Sequence, residues 1–451
     1  MAQVIFVPAM PVLIALGIST LVGLNDAYVA GKMSKTALAA MSFCEPLWFL
    51  VTLTTTGLCS GIAISLAAKF SPKHIKDDSS DQQFFLVDSL CISAVVGFIL
   101  LFVALVLAFV LKGHPHWLSD TAAPVADYFF ICSFSNLPFT IMQAQCAIFR
   151  ATNKNKNVVW LWGTAAFVEI AASNLFVSLG FCNLTILAAA WSIACSIAAC
   201  QGFFLLKPLL QNFDNHTYCR SHWSAHVVNA RSVLSIGLPV VIGELGLIGS
   251  SMLNLFIIST LPEAHNLEAA WAIKSRLEEA LEIVPICAIA LTVAPFIGWH
   301  HSLSSKRVAI WAARISFQAA ITAGFALSVA VILIQFASRL LVGFFCVDHA
   351  LLEQTAQVIA LGSYAWPFFA ITCILSGALE GARQTLLPTA LQIIFVLPVR
   401  LGLAVIFKNC SLFSGIYGVT IAGVLAQTLL AFAIMAVFRR TFFKCLARLT
   451  V

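Results

Sequence analysis

The sequence predicts an all-α membrane protein. Twelve transmembrane helices form two parallel six-helix lobes related by a pseudo-two-fold axis along the membrane normal. Three observations predict this. The 451 residues are 61% hydrophobic and 10% charged, with a mean hydropathy of +0.97, whereas soluble domains run to about 45–50% and about 25%. The apolar residues lie in long continuous runs, not in the alternating segments of about ten that build a β-barrel. Short motifs also recur across the two halves at an almost constant offset. Soluble, disordered, collagen-like and disulfide-scaffold classes are excluded by the first observation alone.

A helix needs about 20 apolar residues to cross roughly 30 Å of hydrocarbon. Twelve runs meet that need: residues 4–26, 38–68, 84–111, 121–149, 158–181, 184–206, 232–260, 267–297, 308–337, 351–379, 386–407 and 413–438. The first is long enough to span and lacks a basic region before it, so it reads as a helix and not as a cleaved signal. Basic residues set the orientation. Sixteen Lys and Arg fall in the even-numbered loops and the C-terminal tail, including Arg439, Arg440, Lys444 and Arg448; five fall in odd-numbered loops. This split places both termini and the even loops in the cytoplasm.

The longest polar stretch lies between runs 6 and 7. It divides the chain into an N-terminal lobe (1–207), a cytoplasmic linker (208–230) and a C-terminal lobe (231–451). Pro11 and Pro239 open the halves, 228 apart. Ala39-Ala40 pairs with Ala269-Ala270 at 230, Pro138 with Pro367 at 229, and Asn157 with Pro388 at 231. Six spans per half is an even number, so both halves enter from the same side, an arrangement known in transporters.

Enzyme signatures are missing from the sequence. Gly31-Lys32 lacks the upstream glycine of a phosphate loop, and there is no HExxH or GxSxG. The fourteen cysteines show neither C-x-x-C nor zinc spacing, and Cys59, Cys132 and Cys195 sit inside apolar runs as small packing residues. No metal or organic cofactor is therefore expected. His114, His116, His300 and His301 read as solvated loop residues. Asn183, Asn215 and Asn409 are N-x-S/T sequons.

Ionisable residues inside the spans carry the functional signal, because lipid tolerates them poorly. Asp26 ends run 1, Glu45 begins run 2, and Glu169 and Asn174 lie in run 5. Glu244 lies in run 7, and run 8 holds Lys274, Arg276, Glu278, Glu279 and Glu282. Lys274 can pair with Glu278 at i,i+4 and Arg276 with Glu279 at i,i+3. Glu282 is left without an obvious partner, and Glu244 has no basic residue at i±3 or i±4. Glu380 reads as solvated in a cytoplasmic turn, and Arg400 lies within run 11.

The run PVLIALGISTLVGLNDAYVAGKMSKTALAAMSF (Pro11–Phe43) resembles the first helix of MATE transporters, the multidrug and toxic compound extrusion family. Pro11, Asp26, Ala30-Gly31 and Ala39-Ala40 carry the likeness. FRATNKNKN resembles the family's turn after helix 4, and SIGLPVVIGE (Ser235–Glu244) the start of its second lobe. The resemblance implies an antiporter whose lobes alternate about a central cavity. Proton or Na⁺ influx would drive export of organic, cationic or amphipathic compounds. By the same match Asp26 takes the coupling-ion role. In run 5, Ile170 and Asn174 occupy the family's two polar places. Glu244 lies about three positions before the helix 7 acid of one branch, and Phe369 stands near that branch's helix 10 aspartate.

The expected ion and substrate residues are thus Asp26, Asn174, Glu244 and Glu282. Tyr28, Phe139, Trp271 and Trp366 are candidate cavity lining by stacking and cation–π contact. The expected partners are small organic substrates and membrane lipids, with no nucleic acid, for a monomer in a bacterial inner membrane. The alternative is a lipid-linked-precursor flippase of the same superfamily, a weaker fit because only Lys274, Arg276, Arg314 and Arg400 are intramembrane cations.

Overall fold

Each long apolar run can satisfy its own backbone only as a helix, and the computed structural model contains, among the described residues, twelve helices long and apolar enough to cross a membrane. They are α1 (Gln3–Met33), α2 (Lys35–Lys69), α3 (Ser79–Gly113), α4 (Ala123–Ala151), α5 (Asn155–Ser178), α6 (Thr185–Leu206), α7 (Trp223–Ser259), α8 (Asn266–His301), α9 (Lys306–Gly343), α10 (His349–Gly381), α11 (Leu386–Phe407) and α12 (Ile416–Phe442). The structure describes all residues except 1–2, 34, 71–78, 115–121, 182, 211–222, 263, 303–304, 344–348, 409–414 and 443–451. Most of the expected linker, and the sequons at Asn215 and Asn409, lie outside the described residues. Large apolar side chains such as Phe204 (77% exposed) and Phe336 (85%) point outward, as they do where lipid is the solvent.

The chain forms two compact units. One is residues 10–241; the other joins residues 1–9 to 242–451. Both divisions fall inside helices beside prolines: between Pro8 and Pro11 in α1, and two residues after Pro239 in α7. The first half of α7 therefore packs with the N-terminal unit. There α2 and α7 meet on glycine. A Cβ on Gly61 would collide with the Val233 carbonyl oxygen, and one on Gly237 would stand 2.8 Å from the Gly57 oxygen. Backbones approach this closely only where side chains are missing. Polar contacts fasten the start of α7 to the same unit. Asp88 of α3 accepts a hydrogen bond from Asn229 Nδ2 at 2.6 Å and lies 2.7 Å from His226 Nδ1, while Lys69 of α2 donates to Asn229 Oδ1 at 3.4 Å.

The internal repeat read from the sequence recurs in the backbone. α4 tightens to a 3₁₀ turn at Ser133–Ser135 and α10 at Ser363–Ala365, 230 residues on. Pro138 and Pro367 follow those turns; each lacks the N–H an unbroken α-helix needs. α4 and α10 then end alike, on left-handed Asn153 (φ 57°) and Arg383 (φ 61°). In both, the next amide closes back over the last turn, Lys154 to Phe149 O and Gln384 to Leu379 O. Lys112–Asp127 (3.2 Å) joins α3 to α4 as Arg339–Glu353 (2.8 Å) joins α9 to α10. These exposed pairs are worth about 0–1 kcal/mol, so they mark the repeat more than they hold it.

Two histidine and acid expectations change. His300 is not a solvated loop residue: it ends α8, is 8% exposed and stacks 4.3 Å from the Phe296 ring, with Nδ1 2.8 Å from the Phe296 carbonyl oxygen. Glu380 is not free in the turn either. It lies half-buried in the last turn of α10, as an electrostatic neighbour of Glu244.

Candidate functional site

In the N-terminal unit, Asp26 of α1 and Glu169 of α5 come together. Asp26 is 8% exposed and Glu169 0%. Their carboxyl groups are within hydrogen-bonding reach of each other. No donor among the described residues reaches Asp26 Oδ1 or either Glu169 oxygen in its ionised form. Two carboxyl groups so placed form a hydrogen bond only with a proton between them. No Lys or Arg among the described residues enters the interactions of either acid.

The surroundings are polar but uncharged. Ser173, one turn beyond Glu169, donates to the Ile170 carbonyl at 3.2 Å and accepts from Asn25 Nδ2 at 3.1 Å. Asn174 donates to Asn25 Oδ1 at 3.2 Å and to the Ile170 carbonyl at 2.7 Å. Buried Tyr128 and Cys132 of α4 neighbour Asp26, and buried Cys195 of α6 neighbours Glu169. On α5, Glu169 thus meets Asp26 and Ser173 meets Asn25, each one position before Ile170 and Asn174. Asn174 is exposed and reaches the cluster only through Asn25. Glu169 was visible in the sequence as an intramembrane acid, and its spacing of four from Ser173 placed both on one helix face. No feature of run 5 alone showed that this face turns to Asp26.

The C-terminal unit is different. Lys274 (5% exposed) donates to Glu278 at 2.6 Å and stands 4.4 Å over the Trp271 ring; Arg276 donates to Glu279 at 3.2 Å. Glu282 sits in a π-helical turn, Glu279–Ile283, at 6% exposure. It has the cationic neighbours Lys274 and Arg400 that the sequence did not reveal. Arg400 follows a second π-helical turn in α11, Phe395–Val399. Glu244 is half-buried beside Glu380, and Cys287 neighbours both Glu244 and Glu282.

The aromatic candidates divide. Tyr28 is 59% exposed on α1. Phe139 and Trp366, each 1% exposed, are packed inside their own units rather than set along an open wall. Phe139 stacks among Trp48 (5.5 Å), Trp191 (5.9 Å) and Trp162 (6.5 Å). Trp271 (3% exposed) is buried too, with its ring under Lys274.

Residues 11–175 match the MatE family model. Nearly the whole chain superposes on solved transporters. A MOP superfamily transporter from Pyrococcus furiosus, described as having a binding pocket of reversed polarity, matches with a TM-score of 0.87 at 16% identity, over 98% of this chain and 96% of that one. This is the MATE fold. An outward-facing multidrug resistance MATE transporter of the MOP superfamily matches with a TM-score of 0.86 at 16% identity over the same shares. A MATE protein in its straight conformation matches with 0.81 at 17%, again over 98% and 96%. A comparison with curated proteins gave no match. The MatE match covers Asp26 and Glu169 and ends one residue after Asn174.

Proposed function

We propose that this MATE-type chain is a secondary active antiporter that exports organic, cationic or amphipathic compounds and is driven by proton influx. The observation that carries this reading is the buried Asp26–Glu169 pair with no basic neighbour. Such a pair holds one proton, or gives it up and accepts a cation, and does not hold both. Exclusive occupancy is the least that exchange requires. Asp26 and Glu169 bind the proton; Ser173, Asn25 and Asn174 fix the two helix faces that carry them.

Gradient-driven export of cationic dyes from proteoliposomes tests this, with an imposed pH gradient in one arm and an imposed Na⁺ gradient in the other. Asp26→Asn keeps size and hydrogen bonding and removes the titratable charge. It is expected to abolish pH-driven export while insertion and thermal stability stay near wild type. Near-normal export by this variant at every pH overturns the assignment, and export driven by Na⁺ alone replaces the proton with Na⁺.

The basic-residue split further supports both termini on the cytoplasmic side of the membrane. In a cysteine-free background, a cysteine at Ser79, the first residue of α3, should label only from the inside. Labelling from outside would reverse the orientation.

A further inference from the structure

The lipid-facing stripe of α9 begins with cations. Ile321, Phe325 (71% exposed) and Ile332 face outward along this helix. Followed back toward its start, the same stripe runs at helical spacing through Gln318, Arg314, Trp311 and Arg307, all exposed.

Arg307 stands at a helix start, where water is at hand. Arg314 does not. The apolar run of α9 starts at residue 308, so Arg314 lies about 9 Å inside it. Exposed Trp311 and, on α8, exposed Trp299 lie on either side of His300, at ring distances of 5.5 and 4.8 Å. Exposed tryptophans are enriched at the headgroup level of a bilayer, and Arg314 is one turn deeper than Trp311. An unpaired charge facing lipid there is costly. Among the described residues, no ion pair or hydrogen bond uses the side chain of Arg307, Arg314, Arg439 or Arg440. Neither α9 nor α12 contains an Asp or Glu, and residues 443–451 add Lys444 and Arg448 but no acid. Side chains on a helix lean toward its N-terminus, which takes Arg314 back toward the headgroups.

α12 supplies the other wall. Its lipid-facing stripe of Leu425, Leu429 and Phe432 ends on exposed Arg439 and Arg440. Arg339 ties the end of α9 to the start of α10, and Thr441, in the last turn of α12, donates to Gln384 just past α10 at 3.1 Å. The start of α9 and the end of α12 therefore share one side of the membrane. The two helices touch there: Phe317 and Phe438 stack at 6.1 Å with 19° between their planes. Arg314 is one turn before Phe317 and Arg439 one residue after Phe438, so both cations lie on the headgroup side of that stack.

We propose that the α9–α12 seam at this end binds the headgroup of an anionic phospholipid. Its phosphate supplies the paired acceptor oxygens that a guanidinium fits. Arg314 takes that phosphate from below, Arg439 and Arg440 hold the headgroup from above, and Trp311 packs at the glycerol level. The apolar stripes of α9 and α12 carry the acyl chains. The site does not depend on the proton-coupling reading above.

Native mass spectrometry of the full chain, released from nanodiscs of equal parts phosphatidylglycerol and phosphatidylcholine, reads which lipid stays bound. Wild type should retain phosphatidylglycerol in preference. Arg314→Gln should lower that preference about fivefold, the effect of one basic residue at an anionic surface. The Arg439→Gln/Arg440→Gln pair should lower it at least as far, and Arg339→Gln, at the far end of α9, should leave it unchanged. Equal retention of the two lipids by wild type overturns the proposal. So does a preference that survives Arg314→Gln, or one that Arg339→Gln lowers as much. Excess inorganic phosphate that strips the bound lipid would assign the arginines to a free anion and also overturn it. If Arg314→Gln does not fold, the Arg439→Gln/Arg440→Gln pair decides by the same measure.

Discussion

At the scale of single residues, short-range chemistry was legible and long-range pairing was not. The spacings in run 8 announced Lys274–Glu278 and Arg276–Glu279, because i,i+4 and i,i+3 neighbours meet on any helix; both pairs form. Asp88 beside Asn229 joins residues more than a hundred positions apart, and no spacing rule reaches that far. The same limit explains run 5. Family spacing points to Ile170 and Asn174, while helix rotation turns Glu169 toward Asp26 and Ser173 toward Asn25. A one-residue change of register moves a side chain about 100° around a helix, enough to exchange Ile170 for buried Glu169 and exposed Asn174 for buried Ser173. Aromatic rings suit organic cations, which makes Phe139 and Trp366 candidate lining in the sequence; in a chain with 36 Phe and 10 Trp, packing is the commoner use.

At the scale of elements, the twelve runs were legible because the bilayer imposes length and apolarity together. The breaks within them were not. Pro138 and Pro367 marked α4 and α10, but the 3₁₀ turns before them, and the π turns beside Glu282 and Arg400, depend on how a helix is held by its neighbours. The α2–α7 crossing makes a sharp prediction. Gly61→Ala puts a methyl group against the Val233 carbonyl, which belongs to backbone and cannot swing aside. Overpacking of this kind costs about 1–3 kcal/mol. A thermal-shift series should show Gly61→Ala melting below wild type, while Gly17→Ala, where a Cβ has no neighbour within 4 Å, should melt alongside it. Equal melting of all three proteins would mean that the crossing is looser than described.

At the scale of the whole molecule, the repeat is the feature on which sequence and structure agree most closely, and also the one along which the two units part chemically. Offsets of 228 to 231 recur in prolines, in 3₁₀ turns and in left-handed helix ends, and the ion pairs between helices repeat at 226 and 227. Within that shared frame, one unit buries an acid pair without a base, while the other pairs Glu278 and Glu279 with Lys274 and Arg276. The central claim is that Asp26 and Glu169 act as one proton-binding group. Groups that titrate as a pair have a common proton, not one each, so removing either acid should remove the whole function. The direct measurement is pH-driven dye export by wild type, Asp26→Asn, Glu169→Gln and the double variant, in parallel proteoliposomes at matched protein content. The account predicts that both single variants lose export to the same extent as the double variant. Losses that add from each single variant to the double, or a Glu169→Gln protein that exports like wild type, would contradict it.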